Sequence, residues 1–417
     1  MSQTAPRALA SQSLVGPRLP GLAAPLRRGP GWALAALPAL AACGGGSSGS
    51  GGADEGSTLP GTEPAPEPPP DPTPTPEPAP APAPDPEPEP ETEPDFPEDP
   101  APVVPRVSAA QPAAISFPLT GDTVIDSTTE GARWDVPEGR ALGFSVSGGV
   151  LGETWEDPAH VAMLMAQAAA DLALLIDVPI TFLGTFSTPT AAAAAGSVVN
   201  LSLDGTGTIV PDWAAAIGYF PDLFKNAQAG DIIFNADLSG DLSAARVGDT
   251  AYFILLHEIG HAMGLKHPHD DGGTGRPTYP ESAIAGFDVD TYTVMSYNDA
   301  LGAVTTAFEP VTFMLFDTIA LQAMYGANPA TNTGDQTHIL SPDDAYRTLY
   351  DASGTDTLDC TAFGSGVEVV LGDWFPVPGS ATALGYVATF ELAQVNVPTT
   401  LCWLVGGFEN VLSGAGD

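Results

Sequence analysis

Hydrophobic periodicity divides the chain into a central region of mixed pattern and a later region of short strands. Leu142-Gly143-Phe144-Ser145-Val146-Ser147 reads as a strand. Asp157-Pro158 then supplies a cap and a proline suited to the first helical position. Val161, Leu164, Met165, Ala168, Leu172 and Leu175 follow at helical spacing. Val178 to Leu183, Ser197 to Leu203 and Asp231 to Asn235 read as three further strands. The run Ala251 to Leu256 is apolar and predicts a buried helix that continues into His257. Strands interleaved with helices over residues 106–330 predict an α/β (α+β) domain. From 331 to 417 the chain is rich in glycine, threonine and aspartate, with short apolar strands at Val367 to Leu371, Val387 to Leu392 and Leu401 to Val405, which predicts a small β-rich region.

The first 105 residues carry no such pattern. Arg27-Arg28 precedes a short apolar run from Trp32 to Ala42, too short to span a bilayer comfortably and suited to an export signal over residues 1–42. The run closes on Leu40-Ala41-Ala42-Cys43, the pattern of a bacterial lipobox, in which Cys43 is the residue that is cut and acylated. Residues 43–105 are glycine and serine, then proline alternating with acidic residues, alanine and threonine. A segment with so few large apolar residues cannot offset its ordering entropy, so a disordered, extended spacer is expected there. The chain of 417 residues has 51 acidic and 12 basic side chains and a formal net charge of −39. A surface of that sign repels nucleic acid and anionic headgroups, so no nucleic-acid partner is expected; membrane attachment would come through a lipid at Cys43. Cys43, Cys360 and Cys402 are the three cysteines, none in a C-x-x-C pair, so a thiolate zinc site is not expected. Cys360 and Cys402 either pair in an oxidising compartment or stay as two buried thiols.

The chemistry concentrates in His257-Glu258-Ile259-Gly260-His261-Ala262-Met263-Gly264-Leu265-Lys266-His267. His257 and His261 are four apart and share one helical face, where two imidazoles can hold one metal ion. Gly264 can take the left-handed conformation that ends a helix sharply, which brings His267 back as a third nitrogen donor. Three protein ligands leave one tetrahedral position open, the pattern of a catalytic zinc site. Glu258, beside the first ligand, is placed to take a proton from water. Three of the six histidines fall on these positions. His160 and His338 read as structural or surface residues, His338 in a loop, and the spacing of His269 excludes it from the motif.

About thirty residues on lies Tyr292-Thr293-Val294-Met295-Ser296-Tyr297. The long histidine motif followed by such a Met-turn resembles the metzincin zinc peptidases. Pro268 after the third histidine, and the run from Met314-Leu315-Phe316-Asp317 to Tyr325-Gly326-Ala327-Asn328, are similar to the serralysin-like branch. The resemblance covers roughly residues 120–417 and is strongest over 250–330. It implies a twisted mixed sheet with the zinc helix and two others around it, and one catalytic zinc on His257, His261 and His267. It also implies Met295 as a floor beneath the imidazoles, and Tyr297 as a phenol that stabilises the transition state. The strand in the place of Ile232, Ile233, Phe234 and Asn235 would be a sheet edge that pairs with extended substrate; an ordinary structural strand is the other reading. The implied function is hydrolysis of internal peptide bonds of proteins by an exported bacterial protein, lipid-anchored at the outer membrane or cell surface, or secreted. The alternative is a non-catalytic surface-binding or adhesin module on the same scaffold, against which the intact Glu258 argues. Asp351 to Asp359 resembles the entry to the serralysin C-terminal β domain, and Gly414-Ala415-Gly416-Asp417 the start of a calcium repeat. One partial repeat cannot build a β-roll, so calcium binding is left open.

Overall fold

The computed structural model describes residues 112–417 except 208, 212–213, 225–226, 237–241, 299–308, 344, 365, 382, 391–397 and 415–417. The expected export signal, Cys43, the spacer and the last residues of the repeat-like end lie outside the described residues. The elements in chain order are β1 (Ala114–Ser116), α1 (Thr123–Thr128), β2 (Ala132–Trp134), β3 (Leu142–Ser147), α2 (Pro158–Leu175), β4 (Ile180–Phe186), α3 (Pro189–Ala194), β5 (Ser197–Asp204), β6 (Ala216–Gly218), β7 (Asp231–Asn235), α4 (Thr250–Ala262) and α5 (Leu315–Tyr325). They continue as β8 (Thr337–Ile339), β9 (Tyr346–Asp351), β10 (Thr357–Cys360), β11 (Glu368–Pro376), β12 (Ala383–Phe390), β13 (Pro398–Gly406) and β14 (Asn410–Ser413).

A five-stranded sheet of order β4-β3-β5-β7-β6 organises the first part. β4, β3, β5 and β7 are parallel, and β6 is antiparallel to β7. β3, β5 and β7 are buried along their whole length, as expected of parallel strands in the interior of a covered sheet. Their polar residues are satisfied within the sheet. Ser145 Oγ lies 2.7 Å from Ser197 Oγ and donates to Asn200 Oδ1 at 2.8 Å; Asn200 Nδ2 donates to Ser147 Oγ at 3.0 Å. β4 begins at Ile180, two residues later than the apolar run, because Pro179 has no N–H for the ladder and contributes only its carbonyl, to Leu142 N at 2.8 Å.

α2 starts as its cap predicts: the Asp157 carboxylate accepts the His160 N–H, with Pro158 in the first turn. It buries Val161, Leu164, Met165, Ala168, Leu172 and Leu175, the stripe read from the sequence. α4 packs on β6 and β7, and α5 on α1 and α2. The arrangement is a mixed α/β fold with several sheets and few helices.

The strands expected after residue 366 are present as β11, β12 and β13, joined by β9 into a four-stranded sheet of order β11-β12-β13-β9. β14, β10 and β8 form a small, wholly parallel sheet. His338 belongs to β8 and is buried, rather than lying in a loop, because Asp351, at the end of β9 in the other sheet, accepts its ring N–H at 2.9 Å. Cys360 and Cys402 are free thiols buried in the same small cluster; burial pushes the Cys402 thiol up to about 12. The β region also shares the main hydrophobic cluster through Tyr346, Tyr350, Leu401 and Trp403. Trp403 packs on Tyr292 with centroids 4.9 Å apart, and its indole N–H donates to Thr291 O at 2.5 Å. Trp403→Ala removes that packing just ahead of the Val294-Met295 turn. It is expected to cost about 3–5 kcal/mol, read as a lower urea midpoint; an unchanged midpoint would show the contact to be idle.

Candidate metal centre

α4 carries His257, Glu258 and His261 into the interior, all three buried. The helix ends at Ala262, and Gly264 makes the reversal with φ +99°. A Cβ at Gly264 would stand 2.4 Å from Ala132 O, so both backbone conformation and close approach demand glycine. Leu265 N donates to Gly260 O at 2.9 Å and Lys266 N to Thr128 O at 2.9 Å, which fixes the returning chain.

The three imidazoles converge. His257 Nε2 lies 3.2 Å and His261 Nε2 3.0 Å from His267 Nε2. Each Nδ1 faces a fixed acceptor: Val294 O at 2.7 Å from His257, Leu265 O at 2.8 Å from His261, and Asp270 Oδ2 at 2.5 Å from His267. A carbonyl only accepts, so Nδ1 of His257 and His261 carries the proton and Nε2 an exposed lone pair. Lone pairs at 3.0–3.2 Å repel unless a cation sits among them. Nitrogens held tetrahedrally by zinc at ~2.0–2.1 Å lie roughly 3.3–3.4 Å apart, so this donor set fits that ion. Burial drives the His257 imidazole down to about 3 and His261 well below its ordinary value, with the neighbouring His267 adding to both. Neutral rings are the form a cation binds.

Around them, Tyr297 OH lies 2.8 Å from His267 Nε2. Met295 is fully buried against α4, where a Cβ at Gly260 would meet its sulfur at 2.5 Å. The Glu258 carboxylate is buried, and its Oε2 has no hydrogen-bond partner among the described residues. Burial pushes it up to about 8, with the Gly218 N–H pulling the other way. Gly218 passes directly over it: a Cβ there would meet Glu258 O at 2.5 Å and Oε2 at 2.9 Å.

That contact corrects one expectation. Ile232, Ile233, Phe234 and Asn235 do not form a sheet edge. β7 is paired on both sides, with β5 and β6, and all four residues are buried. The outer strand beside the histidines is β6, three residues long, whose Ala-Ile-Gly sequence has no alternation to read.

Two carboxylates that sequence reasoning left without a role hold the site in place. Asp317 accepts from Thr293 Oγ1 at 2.6 Å, Val294 N at 2.8 Å and Met314 N at 2.9 Å, and so suspends the turn that carries Val294 and Met295 from α5. Burial pushes its carboxyl up to about 7. Its place inside the apolar run Met314 to Leu321 was the available signal. Asp270, three residues past His267, orients the third imidazole. Lys266 is fully buried, its Nζ donating to Ser127 O, His267 O and Asp270 O at 2.7, 3.2 and 2.8 Å, which braces the same turn. His269 stacks on His267 with centroids 5.1 Å apart and rings parallel to within 4°. Among the described residues, metal-capable side chains also gather as His267, His269 and Asp270, and as His338, Asp351 and Asp356.

No family profile matches the chain. Among curated proteins it is similar to Serralysin G of Dickeya chrysanthemi, 30% identical over 193 residues, covering 40% of this chain and 38% of the relative. Metalloprotease AprA of Pseudomonas entomophila is 29% identical over 180 residues, 38% and 37% of the two chains. Serralysin of Proteus mirabilis is 32% identical over 161 residues, 35% and 32%. Over these stretches the chain is similar to serralysin metalloproteases. The match spans between 32% and 38% of the length of these relatives.

The Asp270 contact generates a test. Asp270→Ala is expected to weaken zinc affinity about 10–100-fold in a chelator competition titration. Asp270→Asn, which keeps an acceptor, is expected to lose less; equal affinity in all three proteins would remove Asp270 from any part in holding the ring.

Proposed function

We propose that the chain is a zinc-dependent endopeptidase that hydrolyses internal peptide bonds of proteins, on a metzincin catalytic domain spanning residues 106–330. The convergence of three Nε2 atoms beside a buried glutamate, whose Oε2 has no hydrogen-bond partner among the described residues, carries this reading. The similarity to serralysins and to a metalloprotease supports it.

His257, His261 and His267 would hold the ion. When bound, zinc supplies a Lewis acid and brings the pKa of water to ~7. Glu258 takes the proton of the attacking water. The low polarity around it strengthens its hold on that proton until it passes to the leaving amine. The Tyr297 phenol, 51% exposed and directed at the same point as His267 Nε2, donates to the oxyanion. Burial raises its pKa, so the hydroxyl keeps its proton at neutral pH. Met295 closes the floor beneath the rings. β6, the outer strand at Glu258, receives substrate as an added strand.

Calcium belongs to the same proposal for the small β domain, residues 331–417. Asp351 and Asp356 are buried side by side, and Asp356 Oδ2 has no partner among the described residues. Burial and the charge of Asp356 raise the Asp351 carboxyl. Oxygen donors of this kind suit a hard cation, although His338 takes up one Asp351 oxygen. Calcium added to a chelator-stripped chain is expected to raise its unfolding midpoint, and Asp356→Asn to abolish the rise. Export with a lipid at Cys43 completes the reading and rests on the sequence alone.

Glu258→Ala is expected to keep about one zinc per chain while losing about 10²–10⁴ in kcat on an unfolded protein substrate. His267→Ala is expected to lose zinc itself. More than about a tenth of the wild-type rate in Glu258→Ala would remove that residue from its role. One zinc with no cleavage by the wild-type chain would favour the surface-binding module instead.

A further inference from the structure

Beyond Gly218 the outer strand runs into one wall of a cavity of about 610 Å³. Phe117, Tyr219, Phe220, Leu223 and Phe224 are among its lining residues. Phe220 marks the boundary with the metal centre, its ring edge-on to His261 with centroids 5.0 Å apart. Asp222 Oδ1 accepts the Phe224 N–H at 2.7 Å, and the resulting turn leaves Leu223 47% and Phe224 93% exposed at the rim. Two large apolar side chains held in water beside a cavity of ligand size are the mark of a surface that a ligand covers.

The charged groups that share the lining are engaged by the fold itself. The Arg276 guanidinium lies 3.8 Å from Asp126, donates to Thr129 Oγ1 and Phe117 O, and stands 5.8 Å over the Phe117 ring. Glu130 Oε2 accepts the Ala132 N–H at 3.1 Å, and the Asp222 carboxylate holds the turn before Phe224. What the cavity offers a ligand is therefore chiefly aromatic and aliphatic surface. Such a surface recognises a side chain by taking it out of water and by contact between rings.

Strand pairing assigns the position. Tyr219 N donates to Asp231 O and Tyr219 O accepts the Gly230 N–H, both at 2.9 Å, so the antiparallel pairing of β6 with β7 runs on to Tyr219. Backbone groups alternate between the two sides of a strand, so Gly218 turns its carbonyl to the side on which β6 has no neighbouring strand among the described residues. Antiparallel pairing is the more stable kind, and a peptide added that way to β6 has its N-terminal part where β6 leads into Phe220. Gly218 lies over Glu258, and Phe220 is two positions on, about 7 Å along an extended chain. We propose that this cavity is a substrate subsite that receives an aromatic side chain about two to four residues before the bond cleaved, held between Phe220 and Phe224. The proposal rests on the peptidase reading above.

The test uses the full chain and matched peptides of otherwise uniform sequence that carry Phe, Ala or Arg at one position, with the cut bond read by mass spectrometry. The Phe peptide is expected to exceed the Ala peptide in kcat/KM by about tenfold. When the Phe is shifted along the peptide, the cut should follow it, about two to four residues behind. Phe224→Ala, on the exposed turn, is expected to lower the Phe-to-Ala ratio about threefold. Phe220→Ala should lower it as well while the chain keeps its zinc. Equal rates for the Phe and Ala peptides, an Arg peptide that matches the Phe peptide, or a cut on the N-terminal side of the aromatic would overturn the subsite. So would a ratio that neither variant changes. If no peptide is cleaved, the peptidase reading falls, and fluorescence-detected binding of the same peptides, labelled, decides the cavity. Tighter binding of the Phe peptide supports it, and equal or absent binding overturns it.

Discussion

Three imidazole nitrogens aimed at one point are the constraint on which the rest of this structure depends. His257, His261 and His267 have each committed Nδ1 to a fixed acceptor, so no rotation relieves the repulsion among their Nε2 atoms. The acceptors come from three separate places: the turn at Val294, the end of α4 at Leu265, and Asp270. The centre can form only when α4, the returning chain and the Met295 turn are all in register. Gly264 makes the return possible, and Asp317 holds the turn that supplies Val294.

Buried charges around the centre are satisfied largely by backbone dipoles rather than by opposite charges. Lys266 donates to three carbonyls, and Asp317 accepts two N–H groups and a hydroxyl. Asp126 accepts two backbone N–H groups and the Thr120 hydroxyl before Arg276 approaches it. Such groups are rigid, because moving one breaks hydrogen bonds to the chain itself. Glu258 is the exception: its Oε2 is buried without a partner among the described residues, and a group left in that state is poised to take up a proton.

The sheet serves the site through its order. β3, β5 and β7 form a buried interior, and the antiparallel β6 is laid across the glutamate at a glycine where no side chain fits. The same strand leads into one wall of a cavity, so the reacting groups and that cavity lie along one short stretch of backbone. From the other side, Trp403 binds the later β region to Thr291 and Tyr292, next to the turn that carries Met295. That region is therefore part of the support of the centre.

What the sequence determined by itself was what short-range geometry controls. Imidazoles four apart on a buried helix, a glycine three residues on and a third histidine meet because helical pitch and one left-handed residue bring them together. The stripe of α2 and the strands β3, β5 and β7 were legible for the same reason: period and burial are local. What only the tertiary structure decided was which strand is outermost, and which carboxylates hold the site. β7 is apolar enough to be read as a strand, but its neighbours are set by pairing with β5 and β6, which its own local pattern does not record. Asp317 gains its role from Thr293 and Val294 across a long connection, and Glu130 and Asp222 line one cavity although 92 positions separate them. Local pattern records how a segment folds on itself; it does not record what the chain brings to its other side.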